Sequence, residues 1–151
     1  MHENVHLMIP ELGQWDDKRI ITPWAWMGII GRFDHAIGYS AIFWPDFVLV
    51  DDCIFVEAPS AELYERWMSQ QNRNRMEVEA VINHRHIVEL FPRSGFVPAR
   101  DVIAHLGVLL KDMWSCKLVR DFPGRHVTVN VYGSESADLV DHQITVFQEA
   151  H

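Results

Sequence analysis

The stretch DFVLVDDCIFV, residues 46–56, contains two short apolar runs separated by two aspartates. Apolar runs of this length are typical of β-strands, and Asp51 and Asp52 between them predict a tight turn. We therefore expect a β-hairpin over about residues 46–57. Because both runs are almost continuously apolar, the pattern indicates a sheet that is covered on both faces.

A second hairpin is predicted over about residues 126–148, where Val127, Val129 and Val131 alternate with polar residues. Helical patterns cover residues 24–43, 75–91 and 99–118, and a shorter one begins after Pro59. The helices lie before and between the hairpins and do not alternate with single strands. This order predicts an α+β fold, with an antiparallel sheet of about four strands packed by about four helices.

Length and composition favour one folded unit. The chain has 151 residues, 48% of them hydrophobic, and six tryptophans, so we expect a single globular domain over 1–151. The net charge of −8 disfavours nucleic acid and anionic membrane surfaces and favours a basic partner. The start Met1-His2-Glu3 lacks the basic residues of a secretory signal, and charged residues interrupt the most apolar stretch, so a cytoplasmic location is predicted.

Three glycines fall on one stripe of the helix predicted over 24–43. Gly28, Gly31 and Gly38 recur at helical spacing, with His35 on the same stripe. An interior glycine costs a helix about 0.8–1 kcal/mol relative to alanine, so three of them need a compensating reason. The simplest reason is close packing of this stripe against another backbone or a flat ligand. A contact between two copies of the chain in a homodimer is one such packing.

Asn83 and His84 interrupt the apolar stripe of the helix predicted over 75–91. One interpretation makes them buried, hydrogen-bonded structural groups, since most buried polar groups are satisfied in this way. The alternative places them in a polar pocket together with His35 and Asp34. On a helix, His84 and His86 would point about 160° apart, so a shared metal is not expected, and no other cofactor is predicted.

Motifs of catalysis and of phosphate binding do not occur in the sequence. There is no Gly-x-Ser-x-Gly, and Gly28-x-x-Gly31 lacks the Lys-Ser/Thr ending of a phosphate loop. Cys53 and Cys116 lie in apolar patterns and are interpreted as buried, reduced thiols. These observations argue against an enzyme.

The tryptophans with the weakest burial pattern stand near aspartates, which indicates a partner surface. The residues expected to form it are Trp15, Asp16, Asp17, Trp24, Asp51 and Asp52. The leading hypothesis is a small, acidic, protein-binding module, such as an immunity or antitoxin-type inhibitor of a basic partner. The alternative is a small-ligand-binding protein or enzyme with a pocket near His35, Asn83 and His84.

Overall fold

The structure, a computed structural model, describes residues 8–13, 21–70, 74–91 and 97–149. Within these ranges it confirms the α+β class, with five α-helices, one two-stranded sheet and one three-stranded sheet, both antiparallel. The chain divides into two compact units, Met1–Ser40 and Ala41–His151. That the whole chain folds as a single domain stays a prediction.

The helix predicted over 24–43 is two helices, α1 (Pro23–Ile30) and α2 (Phe33–Phe43). Thr22 caps α1 as its position before Pro23 suggests, because its hydroxyl accepts a hydrogen bond from the Ala25 amide. The prediction of one continuous helix is wrong at Gly31, which has extended backbone angles of −62° and 141°. A Cβ on Gly31 would collide with the Met27 carbonyl oxygen, so this glycine ends α1.

The first hairpin is confirmed in the second unit. Strands β1 (Val48–Val50) and β2 (Cys53–Phe55) pair in antiparallel register, with Val50 opposite Cys53. Asp51 and Asp52 form the turn with φ values of 46° and 70°. Positive φ at both central positions is the type I′ geometry, which matches the twist of the two strands.

Helices α3 (Ala61–Gln70) and α4 (Arg75–Ile82) follow the hairpin. The helix predicted to continue to residue 91 instead ends at Ile82. The chain enters the short strand β3 (Arg85–His86) and then a 3-10 helix at Ile87–Leu90. The helical prediction is wrong there because the backbone of β3 pairs with the last strand of the chain, a long-range contact that local periodicity does not contain.

The remaining elements are α5 (Arg100–Asp121), β4 (Val127–Tyr132) and β5 (Gln143–Gln148). Strand order in the second sheet is β3-β5-β4, so the predicted second hairpin is confirmed and gains a third strand. Trp114 and Leu110 of α5 pack in one core cluster with Ile144 and Val146 of β5. A second cluster, between the first hairpin and helices α3 and α4, includes Phe55, Tyr64, Met68 and Val78.

One continuous sheet does not form, because side chains of α4 and of the residue that follows it stand between β2 and β5. Glu79 accepts hydrogen bonds from the Ile54 amide of β2 and the Gln148 amide of β5, both at 2.6 Å. Asn83 donates to the carbonyl oxygens of Ile54 and Val146 at 2.8 and 2.9 Å. We call Glu79 and Asn83 the polar clamp, because they take the place of a backbone ladder between the two strands.

Candidate functional site

The predicted partner surface is described only in part. Trp15, Asp16 and Asp17 lie outside the described residues. Trp24 is 90% exposed on α1, and its role in a surface contact stays a prediction. The prediction that these residues form one surface with the hairpin aspartates stays a prediction.

Helices α1 and α2 expose large apolar side chains, and no residue of either helix is buried. Phe33 is 95% exposed, Trp24 90% and Ile37 73%. We call the exposed side chains the apolar helical surface; its members are Trp24, Met27, Ile29, Ile30, Phe33 and Ile37. The helical spacing of Trp26, Ile30, Phe33 and Ile37 predicts a buried stripe. This prediction is wrong at Ile30, Phe33 and Ile37, which are exposed.

The glycines of this segment do not pack closely against described parts of the chain. Gly28 and Gly38 are exposed, and a Cβ built on either would meet nothing within 4 Å among the described atoms. Gly31 has a structural role as the residue that ends α1. Close packing at Gly28 and Gly38 stays a prediction, since no described atom supplies the contact.

Asp34 and His35 lie on the exposed surface of α2. The Arg32 guanidinium contacts the Asp34 carboxylate at 2.6 Å and holds the pKa of that carboxyl below its usual range. The exposed His35 ring stands edge-on to Tyr39, with ring centroids 6.2 Å apart. The Asp34 carboxylate therefore forms a local ion pair with Arg32.

The two hairpin aspartates differ in their contacts. Asp52 accepts hydrogen bonds from Arg125 at 2.6 Å and Arg75 at 3.1 Å, and chiefly the Arg125 contact lowers its pKa. Asp51 instead lines a shallow cavity of about 320 Å³ with Tyr64, Glu65, Met68 and Arg75. Asp52 therefore links the turn to Arg75 and Arg125 in the second unit. Asp51 is a better candidate than Asp52 for contact with a partner.

Tyr64, which lines the cavity beside Asp51, and the neighbouring Cys53 both have raised pKa values. Burial, followed by the contact with the Cys53 thiol at 3.9 Å, raises the pKa of Tyr64 to about 12. Burial also raises the pKa of Cys53, which makes its thiolate scarce at neutral pH. Cys116, expected to be buried, is exposed on α5, because it shares a helical face with the exposed Asp112 and Val119.

Asn83 has a structural role in the polar clamp. Its side chain is fully buried and makes three hydrogen bonds, the third being acceptance from the Val56 amide at 2.9 Å. This agrees with the structural interpretation of Asn83. Sequence reasoning missed Glu79, which is equally buried. The sequence does contain a signal for it: Glu79 stands four residues before Asn83, so the two side chains share one helical face.

His84 is half-buried and does not lie on a helix. Its Nε2 is 3.3 Å from Nε2 of His86, and the two ring planes are inclined by 77°. The expectation that these rings point in opposite directions is wrong, because residues two apart on an extended chain share a face. Desolvation, then the neighbouring charges of His86 and Arg85, lowers the pKa of His84.

The described part of the chain contains neither a larger cluster of metal-ligand side chains nor a helix suited to cross a membrane. No group of three or more His, Cys, Asp or Glu side chains is placed to hold a metal ion there. None of the described helices combines the length and apolarity that a bilayer crossing requires. No model of a protein family, no curated protein and no solved structure matches this chain.

Proposed function

We propose that this chain is a protein-binding module that docks on its partner through the apolar helical surface of α1 and α2. The observation that carries the proposal is the exposure of Trp24, Phe33 and Ile37, each at least 73% exposed. Monomeric soluble proteins rarely expose contiguous apolar patches of large size, and such patches mark interaction sites. Tryptophan is also among the residues that dominate binding energy at protein interfaces.

The sequence of α1 supports a partner with an apolar groove. Its eight residues, PWAWMGII, are apolar or small throughout, so apolar groups surround the helix and do not form a single stripe. A helix of this kind is normally enclosed on several sides. An exposed glycine such as Gly28 allows the wall of a groove to approach the helix backbone.

The net charge of −8 favours a partner that is basic around this groove. Charges at the rim of an interface accelerate encounter, while buried apolar anchors slow dissociation. Phe33 is a candidate for the second role, because its side chain is 95% exposed. An immunity or antitoxin-type inhibitor of a basic protein is the biological role that fits this division.

Photo-crosslinking followed by binding measurements tests the proposal. A photoreactive residue at position 33 identifies the partner in cells, and the purified partner is then titrated with wild-type chain and with Phe33→Ala. We expect Phe33→Ala to raise Kd at least about tenfold, equivalent to about 1.4 kcal/mol. Its unfolding free energy should change by less than about 0.5 kcal/mol, because the side chain is exposed.

Val119→Ala is the matched control, since Val119 is an apolar side chain on α5 with 75% exposure. Its Kd should equal that of wild type. Equal affinities for Phe33→Ala and wild type would contradict the proposal. So would sedimentation showing that the crosslinked species is a second copy of this chain, which would make the surface a homodimer contact.

A further inference from the structure

The side chains of His84 and His86 meet at the surface of the second unit, on one side of the extended chain at β3. Their Nε2 atoms are 3.3 Å apart. Two nitrogen ligands bound to one tetrahedral zinc ion, each at about 2.0–2.1 Å, stand about 3.3–3.4 Å from each other. The spacing of the two imidazole nitrogens therefore equals that of two ligands on one ion.

The orientation of His86 is set by a backbone group. Its Nδ1 lies 2.6 Å from the Val140 carbonyl oxygen. A carbonyl oxygen only accepts, so Nδ1 carries the proton, and Nε2 of the neutral His86 ring has a lone pair that accepts a hydrogen bond from Nε2 of His84. Metal-binding histidines almost always donate their second ring nitrogen to a carbonyl, a carboxylate or water in this way.

Arg85 lies between the two histidines in sequence but is held away from them. Its guanidinium donates to the carbonyl oxygens of Ile82 and His84, both at 2.8 Å. It also stands 3.6 Å from the carboxylate of Glu57, which offsets part of its charge. Alternation along the extended chain leaves the side of the two imidazoles free of this guanidinium.

We propose that His84 and His86 form a two-histidine site for a divalent transition metal of the zinc type. Imidazole nitrogen suits Zn²⁺, Ni²⁺ and Cu²⁺, whereas Mg²⁺ and Ca²⁺ require oxygen ligands. To bind the ion, neutral His84 moves its proton from Nε2 to Nδ1, so that both Nε2 lone pairs are available. Water completes the coordination, and the ion exchanges with solvent.

Zinc titration of the untagged, chelator-treated full-length chain tests this site. Calorimetry with Zn²⁺ alone should show one saturable site on wild type. His84→Phe and His86→Phe, which keep a planar ring, should each raise its Kd at least tenfold. His105→Phe is the matched control, because His105 is a half-buried histidine on α5; its Kd should equal that of wild type.

A second measurement needs no variant. Long-range ¹H–¹⁵N NMR of the histidine rings should show that Zn²⁺ shifts the Nε2 signals of His84 and His86 before those of other histidines. Absence of saturable uptake by wild type, an unaltered Kd in both phenylalanine variants, or first shifts at other histidines would each overturn the proposal. None of these outcomes depends on Phe33, so this site and the protein-binding proposal fail independently.

Discussion

Helices α1 and α4 have the same length but opposite relations between polarity and burial. Every residue of α1 is apolar or small, yet none is buried. Helix α4 has a mixed sequence, and it buries Glu79 as completely as Val78. The polarity of a residue therefore does not by itself decide whether it lies inside this protein.

The difference arises from the hydrogen bonds that each helix has available. Glu79 and Asn83 are buried because the neighbouring strands β2 and β5 present backbone amides and carbonyls that need partners. An unsatisfied buried group of this kind costs about 1–3 kcal/mol, so a polar side chain is favoured there over an apolar one. No described core covers the exposed apolar side chains of α1.

Placing an aspartate in each of the two regions gives the largest expected contrast. Asn83→Asp replaces a buried amide donor with a carboxylate that faces the carbonyl oxygens of Ile54 and Val146. We expect a loss of about 3–5 kcal/mol of unfolding free energy, as for other uncompensated buried charges. Phe33→Asp should change it by less than about 0.5 kcal/mol. Urea unfolding of both variants at pH 7 measures the difference.

Asn74→Asp is the isosteric control, because Asn74 caps the N-terminus of α4 and aspartate caps equally well. It should be as stable as wild type or slightly more so. Comparable losses for Phe33→Asp and Asn83→Asp would show that the apolar helical surface is buried in the free chain and would remove the contrast.

Glu79→Gln is expected to lower the free energy of unfolding by less than Asn83→Asp does. The change turns one acceptor oxygen into an NH₂ group, which faces the amides of Ile54 or Gln148 and leaves a donor without an acceptor. We expect a loss of about 1–3 kcal/mol. Glu77→Gln on the exposed face of the same helix should stay within about 0.5 kcal/mol of wild type. Equal stability of the two variants would mean that the carboxylate is not needed between β2 and β5.

The smallest change in the free energy of unfolding is expected for Asp52→Asn, since Asp52 is an exposed polar group at the hairpin turn. The arginine contacts lower its folded-state pKa, so its stabilising contribution is present above the ordinary carboxyl pKa and disappears as pH falls through the lowered value. Asp52→Asn should thus be less stable than wild type at pH 7, and the difference should narrow toward pH 3. Urea midpoints at both pH values test this, with Asp51→Asn as the control. A difference that stays constant with pH would contradict the assignment.

Local patterns were sufficient for most secondary structure. The hairpins were predictable because alternating or continuous apolar runs beside turn residues have few other solutions. The Thr22-Pro23 start of α1 was predictable because capping and the fixed φ of proline act within one turn. The break at Gly31 is a local signal too, because glycine commonly ends a helix. The glycine stripe predicts close packing there instead.

The sequence by itself determined the α+β class, the positions of both hairpins and the acidic charge, since these follow from short-range periodicity and composition. Tertiary structure alone decided that α4 ends at Ile82, that Glu79 and Asn83 separate two sheets, and that His84 faces His86. The physical reason is that each of these outcomes depends on backbone groups or surfaces brought together from distant parts of the chain, such as β5 against β2 and β3.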